Sequence, residues 1–132
     1  FQYFKDYLIG KNRKIKDLLM DQKFVSGLGN IYVNEILFLS EIRPDRKIIK
    51  LKDFEIKKVI KNTKKVLKKA IIFGGSSIKN FSNSGGKKGN FQQHFKVYGK
   101  AGLRCSTSGC FEMIRKIVIS NRSSLFCSKC QK

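Results

Sequence analysis

The sequence predicts a mostly α-helical fold followed by a small β-ribbon module, on three observations. From Asp53 to about Phe73, Ile56, Val59, Ile60, Val66, Leu67, Ala70 and Ile71 recur on one helical face. Lys57, Lys58, Lys61, Lys64, Lys65, Lys68 and Lys69 recur on the other. Upstream, two shorter apolar runs flank a glycine-containing turn, as two helices in succession would. Downstream, all four cysteines fall in the last 28 residues, spaced Cys105-x4-Cys110, then 16 residues, then Cys127-x2-Cys130.

The elements follow in order. Residues 14–21 read as a short helix, and Val25-Ser26-Gly27-Leu28-Gly29-Asn30 as a turn. Ile31 to about Ser40 reads as the next helix, with Asn30 as its N-cap and Glu35 further in. Pro44 blocks continuation, and residues 41–52 form a connection. The lysine-striped helix ends at Gly74-Gly75. Its lysine row reads as a solvated surface opposite a core stripe, with a phosphate-tracking face as the alternative. Residues 74–94 are rich in Gly, Ser and Asn, and so long an irregular segment reads as a mobile functional loop, with a plain disordered linker as the alternative. Phe95–Tyr98, Met113–Ile119 and Ser124–Phe126 read as strands, with a hairpin tip at Ser120-Asn121-Arg122-Ser123. The expected division is a helical domain over 1–94 and a four-cysteine ribbon over 95–132.

A tail of this length is too small to bury a core of its own. Two close cysteine pairs separated by one hairpin present four thiolates to one tetrahedral Zn²⁺, which supplies the missing stability. A disulfide framework fits less well, because Cys127-Ser-Lys-Cys130 is too close-set and nothing in the chain reads as secretory. No run approaches the roughly 18 to 20 apolar residues of a membrane span. Reduced cysteines without an export signal imply the cytoplasm. The opening Phe1-Gln2-Tyr3-Phe4 reads as the interior of a longer protein, or as a processed one.

Twenty-nine Lys and Arg against nine Asp and Glu leave a net charge of +20, which draws polyanions. Abundant Lys, Ile, Asn and Phe also fit an AT-rich genome, so the placement of the charges says more than their number. Gly27-Leu28-Gly29-Asn30 puts backbone N–H groups and an amide at a helix start, where a phosphate can approach closely. Arg122, at the ribbon tip, can clamp a phosphate while a metal holds the hairpin rigid.

Several short motifs occur in a fixed order: Leu19-Met20-Asp21-Gln22, Gly27-Leu28-Gly29-Asn30-Ile31-Tyr32 with Glu35, and Gly74-Gly75-Ser76. Phe91-Gln92-Gln93, Val97-Tyr98-Gly99, Arg122-Ser123 and Phe126-Cys127-x2-Cys130-Gln131 follow. Together they closely resemble the C-terminal half of bacterial formamidopyrimidine-DNA glycosylases, which excise 8-oxoguanine and ring-opened purines. The resemblance implies a helix-two-turn-helix bundle followed by a zinc-finger hairpin, together gripping damaged double-stranded DNA around a flipped nucleotide. It implies that Asn30 and Arg122 pinch one phosphate, and that Arg122 donates a proton for δ-elimination. Lys116 and Tyr98 are implied to contact neighbouring phosphates, and Asn12 to make a further DNA contact. Residues 74–94 become a lesion-capping loop, with Ser76 and backbone up to Phe81 holding the base and Lys87 as the loop lysine. One structural Zn²⁺ on Cys105, Cys110, Cys127 and Cys130 is implied, although the family usually has Cys-x2-Cys for the first pair. A monomer acting with the bacterial nucleoid is expected.

The family's nucleophile is an N-terminal proline amine on a separate domain, followed by a catalytic glutamate. This sequence contains neither at its start, so it reads as the DNA-gripping half of a glycosylase and apurinic-site lyase, without activity alone. The alternative is a stand-alone, non-catalytic zinc-ribbon module for nucleic acid. Related ribbons also end some isoleucyl-tRNA synthetases, but the Gly-x-Gly-Asn turn and the long loop have no use there.

Overall fold

A computed structural model describes residues 2–8, 12–21, 28–72 and 95–132. In order these form α1 (Gln2–Leu8), α2 (Ile15–Met20), α3 (Asn30–Leu39), a 3-10 turn at Ile48–Lys50 and α4 (Asp53–Ile72). An antiparallel pair follows, β1 (Arg115–Ile119) and β2 (Arg122–Phe126).

Six residues are too few for a helix to hold itself together in water, so α2 depends on its surroundings. Ile15, Leu18 and Leu19 are buried, each contributing about 1.5–3 kcal/mol by leaving water. No side chain caps the helix. Its first N–H groups instead reach the 41–52 connection, Ile15 N–H donating to Arg46 O (2.8 Å) and Lys16 N–H to Pro44 O (3.2 Å). Ile48 N–H returns a bond to Arg13 O (2.9 Å), fastening the connection alongside the start of α2.

The α3 helix begins one residue earlier than the sequence implies. Gly29 is its N-cap and Asn30 its first helical residue, with no side-chain capping bond. The reason is tertiary, because the Asn30 amide is used elsewhere. The last residue of α3 is Leu39, so the helix stops five residues before Pro44. Glu41 takes a left-handed φ of 61°. Its N–H donates to Phe38 O and Ile42 N–H to Leu37 O (both 3.1 Å), a Schellman closure with glutamate where glycine is usual.

The long helix α4 matches its periodicity. Ile56, Val59 and Val66 are buried, and Lys57, Lys61, Lys64, Lys65, Lys68 and Lys69 are exposed. Its intended stop at Gly74-Gly75 lies outside the described residues. The short helix α1, which periodicity does not announce, pairs with the start of α4 through Lys5 Nζ and Asp53 Oδ1 (3.3 Å).

Three ribbon features differ from expectation. Phe95–Tyr98 is not a strand, because the N–H groups of Lys96, Val97 and Tyr98 all donate to the Glu35 carboxylate and cannot serve a ladder. Met113 makes only an isolated bridge with Arg104, and β1 starts at Arg115. The hairpin tip is Ser120–Asn121 alone, both left-handed (φ 51° and 64°), as a two-residue primed turn requires. Arg122 is therefore the first residue of β2, directly opposite Ile119.

Two hydrophobic clusters result. One joins α2, α3, α4 and Phe95. The other gathers Phe38, Val97, Ile114 and Leu125 around the cysteines. Leu39 and Tyr98 pack against both.

Candidate nucleic-acid interface and metal centre

The helix α3 is apolar nearly all round (Asn-Ile-Tyr-Val-Asn-Glu-Ile-Leu-Phe-Leu), so its polar residues have to be satisfied by a neighbour. Asn30 and Asn34 lie one turn apart and face β2. Asn30 Nδ2 donates to Ser123 O (3.1 Å), and Asn34 Nδ2 approaches the same oxygen (3.3 Å). Asn34 Oδ1 accepts from Leu125 N–H (3.0 Å), so that amide extends the strand's own hydrogen bonding. Asn30 Oδ1 is buried and accepts nothing among the described residues.

From α2, Lys16 reaches the same point. It is 1 % exposed, and its Nζ donates to Ser123 O (2.8 Å) and Ser124 Oγ (2.6 Å). Burial, then the positive charge of Arg122, push its amine down to about 8, against a smaller upward pull from Asp17. Ser120 Oγ donates to Asp17 Oδ1 (2.7 Å), so α2 holds the hairpin at its turn as well. Three nitrogens thus converge on the carbonyl next to Arg122, whose own side chain is exposed.

Sequence reasoning did not find Lys16 or Asn34. Two asparagines and a glutamate in an otherwise apolar helix were the available signal for Asn34. For Lys16 there is none, since its acceptors lie 107 and 108 residues away.

Lys116, opposite Leu125 on β1, and half-buried Tyr98 line one open cavity of about 260 Å³ with Ser123. The Tyr98 ring is steadied edge-on by Phe95, with centroids 5.9 Å apart. Asn12 is exposed just before α2, and no hydrogen bond ties its side chain to this cluster among the described residues. Ser76, Phe81 and Lys87 lie outside the described residues, as does the turn from 22 to 27.

Glu35 anchors the ribbon to α3 by accepting from three consecutive N–H groups, at 2.6, 3.0 and 2.9 Å. Burial pushes its carboxyl above the usual range, opposed by those three bonds.

The four cysteine sulfurs lie within 4.8 Å of one another. Cys105 Sγ is 3.8 Å from Cys130 Sγ, and Cys110 Sγ is 3.7 Å from Cys127 Sγ. Four thiolates about 2.3 Å from a tetrahedral Zn²⁺ sit about 3.8 Å apart, so the donor set and spacing fit that ion. Burial pushes the Cys127 thiol up, whereas at Cys105 burial is outweighed by hydrogen bonds from Thr107 and the neighbouring thiols, which pull it down. The four-residue first knuckle is accommodated by Gly109 at φ 80°, with Cys110 N–H donating to Thr107 O (3.0 Å). Beyond the second knuckle, Gln131 accepts from Cys127 N–H and donates to Ile42 O (both 2.8 Å). The second cysteine knuckle is thereby tied to the connection that fastens α2.

The model of the formamidopyrimidine-DNA glycosylase H2TH domain matches residues 1–82. The chain belongs to this family. It is 45% identical over 131 residues to the formamidopyrimidine-DNA glycosylase of Rickettsia bellii, covering 99% of this chain and 47% of that protein. To the Roseobacter denitrificans relative it is 43% identical over 122 residues, covering 92% and 43%. The chain thus spans about half the length of the relatives it matches. Among solved structures, a Lactococcus lactis Fpg variant in complex with Fapy-dG-containing DNA superposes with a TM-score of 0.88 at 39% identity, covering 99% of this chain and 47% of that one. A complex of the Lactococcus lactis protein with abasic-site DNA matches with the same score, identity and coverage. The mostly helical bundle with a four-cysteine, two-stranded ribbon is therefore the family's C-terminal architecture. No helix among the described residues is long and apolar enough to cross a membrane.

Proposed function

We propose that this chain is the DNA-gripping, C-terminal portion of a base-excision-repair glycosylase and apurinic-site lyase acting on oxidised purines. In this reading 1–94 is the helix-two-turn-helix domain and 95–132 the zinc finger. Asn30 and Arg122 pinch the phosphate beside the flipped nucleotide, and Arg122 supplies the proton for δ-elimination. Lys116 and Tyr98 hold the next phosphates, and Asn12 makes an outlying contact. Ser76, Phe81 and Lys87 belong to the lesion-capping loop. The nucleophilic amine lies on the other half of the protein, so this portion binds without cleaving. It acts as a monomer on damaged duplex DNA in the bacterial cytoplasm.

The observation that carries this reading is the Asn30–Ser123 hydrogen bond, which draws a helix start and a ribbon strand to one point with Arg122 alongside. The Asn30 amide and the Arg122 guanidinium together form a site for one phosphate, with the buried Lys16 amine adding positive charge behind it. A single Zn²⁺ on Cys105, Cys110, Cys127 and Cys130 would supply rigidity and no chemistry, holding the strand that Lys16, Asn30 and Asn34 grip.

Titration of the chain with a labelled abasic-site duplex tests the proposal. Binding that weakens steeply with salt is expected, and borohydride should trap no adduct. Failure to bind, or a trapped adduct, contradicts it.

A further inference from the structure

We propose that the outer face of α4 is a second duplex-DNA contact, which lets the chain hold two DNA segments at once and pass between them. This rests on the DNA-binding reading above but concerns a different surface.

The geometry separates the two surfaces. On α3, Asn30 and Asn34 face β2, whereas Ser40, at the helix end, accepts from Asn62 Nδ2 of α4 (3.1 Å). Positions 34 and 40 differ by about 120° around a helix, so α4 packs on another side of α3. Within α4, Ile56, Val59 and Val66 turn inward, which directs Lys61, Lys65 and Lys68 away from α3 and from the Asn30 cluster. A duplex seated at Asn30 and Arg122 therefore does not lie along this row.

Charge makes the row more than a solvated face. No acidic residue follows Glu55 on α4. The nearby carboxylates are already taken: Glu41 by Lys58, Asp45 by Arg43, Asp53 by Lys5 and Glu55 by Arg46. Lys61, Lys64, Lys65, Lys68 and Lys69 are exposed and form no ion pair among the described residues. Lys57–Lys61, Lys61–Lys65, Lys64–Lys68 and Lys65–Lys69 stand at i, i+4, where like charges destabilise a helix. A phosphate row relieves that repulsion. Lys57 to Lys69 extends about 18 Å at the helical rise, long enough to meet several phosphates along a duplex. A membrane surface fits less well, because it needs several apolar side chains on the contacting face. Among the described residues, α4 exposes one large apolar side chain, Phe54 near its start, and packs Ile56, Val59 and Val66 inward.

Dissociation of the chain from a labelled abasic-site duplex, chased with increasing undamaged duplex, tests the second contact. The parent's dissociation rate should climb several-fold with competitor concentration, since a second duplex is captured before the first is released. The combined Lys61→Glu, Lys65→Glu and Lys68→Glu variant should show a flat rate. Lys61→Gln, Lys65→Gln and Lys68→Gln carries the same readout should charge reversal impair folding. A flat rate in the parent, an unchanged dependence in the variant, or capture by phosphatidylserine vesicles in place of duplex overturns the proposal. If the chain does not bind the abasic duplex at all, the phosphate-pinch reading fails separately. The α4 contact is then read from the salt slope on undamaged duplex, which the triple variant should reduce by about 0.9 per lost phosphate; an unchanged slope refutes it.

Discussion

Asn30 Nδ2 lies 3.1 Å from the carbonyl oxygen of Ser123, a bond that spans 93 residues of sequence. It joins the first turn of α3 to the strand that begins with Arg122. Lys16 and Asn34 reach the same oxygen, so two helices and one strand are fixed to each other at a single backbone atom. The position of Arg122 is thereby set by polar contacts from α2 and α3 as much as by the cysteine knuckles.

Replacing Arg122 with Ala should weaken binding to abasic-site DNA by about 1–3 kcal/mol, the cost of losing a charged hydrogen bond. The side chain is exposed, so thermal stability should change by less than about 0.5 kcal/mol. Equal affinity in a fluorescence titration would remove Arg122 from the phosphate site.

Lys16 predicts two pH effects of opposite sign. Its folded amine lies near 8, below the ordinary 10.5, so between those values the unfolded chain holds the proton more often. Its contribution to stability therefore rises with pH across that window. A bound phosphate favours the charged amine, so binding takes up a proton and affinity falls above about pH 8. Lys16→Met should flatten both dependences relative to the parent, in denaturant melts and in DNA titrations. Profiles that remain parallel would show that Lys16 does not titrate in this range.

Glu35→Gln should cost about 1–3 kcal/mol in urea unfolding, because an amide has one acceptor oxygen for three backbone N–H groups. Lys96, Val97 and Tyr98 lose their fixed arrangement, and with Tyr98 goes one wall of the cavity beside Lys116. A stability equal to the parent's would mean the ribbon is held by packing alone.

Stripping the metal with a strong chelator should abolish DNA binding while most of the helical circular dichroism remains, and added Zn²⁺ should restore it. Gln131 links the second knuckle to Ile42, so the 41–52 connection and α2 should also gain faster amide exchange. Unchanged DNA affinity after complete metal removal would contradict a positioning role for the ion.

The legible parts of the fold were those whose pattern is local. The α4 stripe has a fixed period over 20 residues, and the cysteine spacing implies a four-sulfur site without reference to the rest of the chain. The failures arise where a distant partner decides. Phe95–Tyr98 has strand-like side chains, yet its N–H groups are claimed by Glu35, more than 60 residues earlier. Asn30 has the right chemistry for an N-cap, yet its amide belongs to Ser123. The tip contracts to Ser120–Asn121 because two left-handed residues close a hairpin without help, leaving Arg122 in the strand. A lysine as buried as Lys16 cannot be read from its neighbours, since its acceptors exist only once β2 docks.

The most direct test of the shared phosphate is a double-mutant cycle on abasic-site DNA affinity, with Asn30→Ala, Arg122→Ala and both together. Groups that act on one phosphate should be coupled by at least about 0.5 kcal/mol, the double variant losing less than the sum of the singles. Losses that add to within about 0.3 kcal/mol would place Asn30 and Arg122 on separate contacts and contradict the pinch.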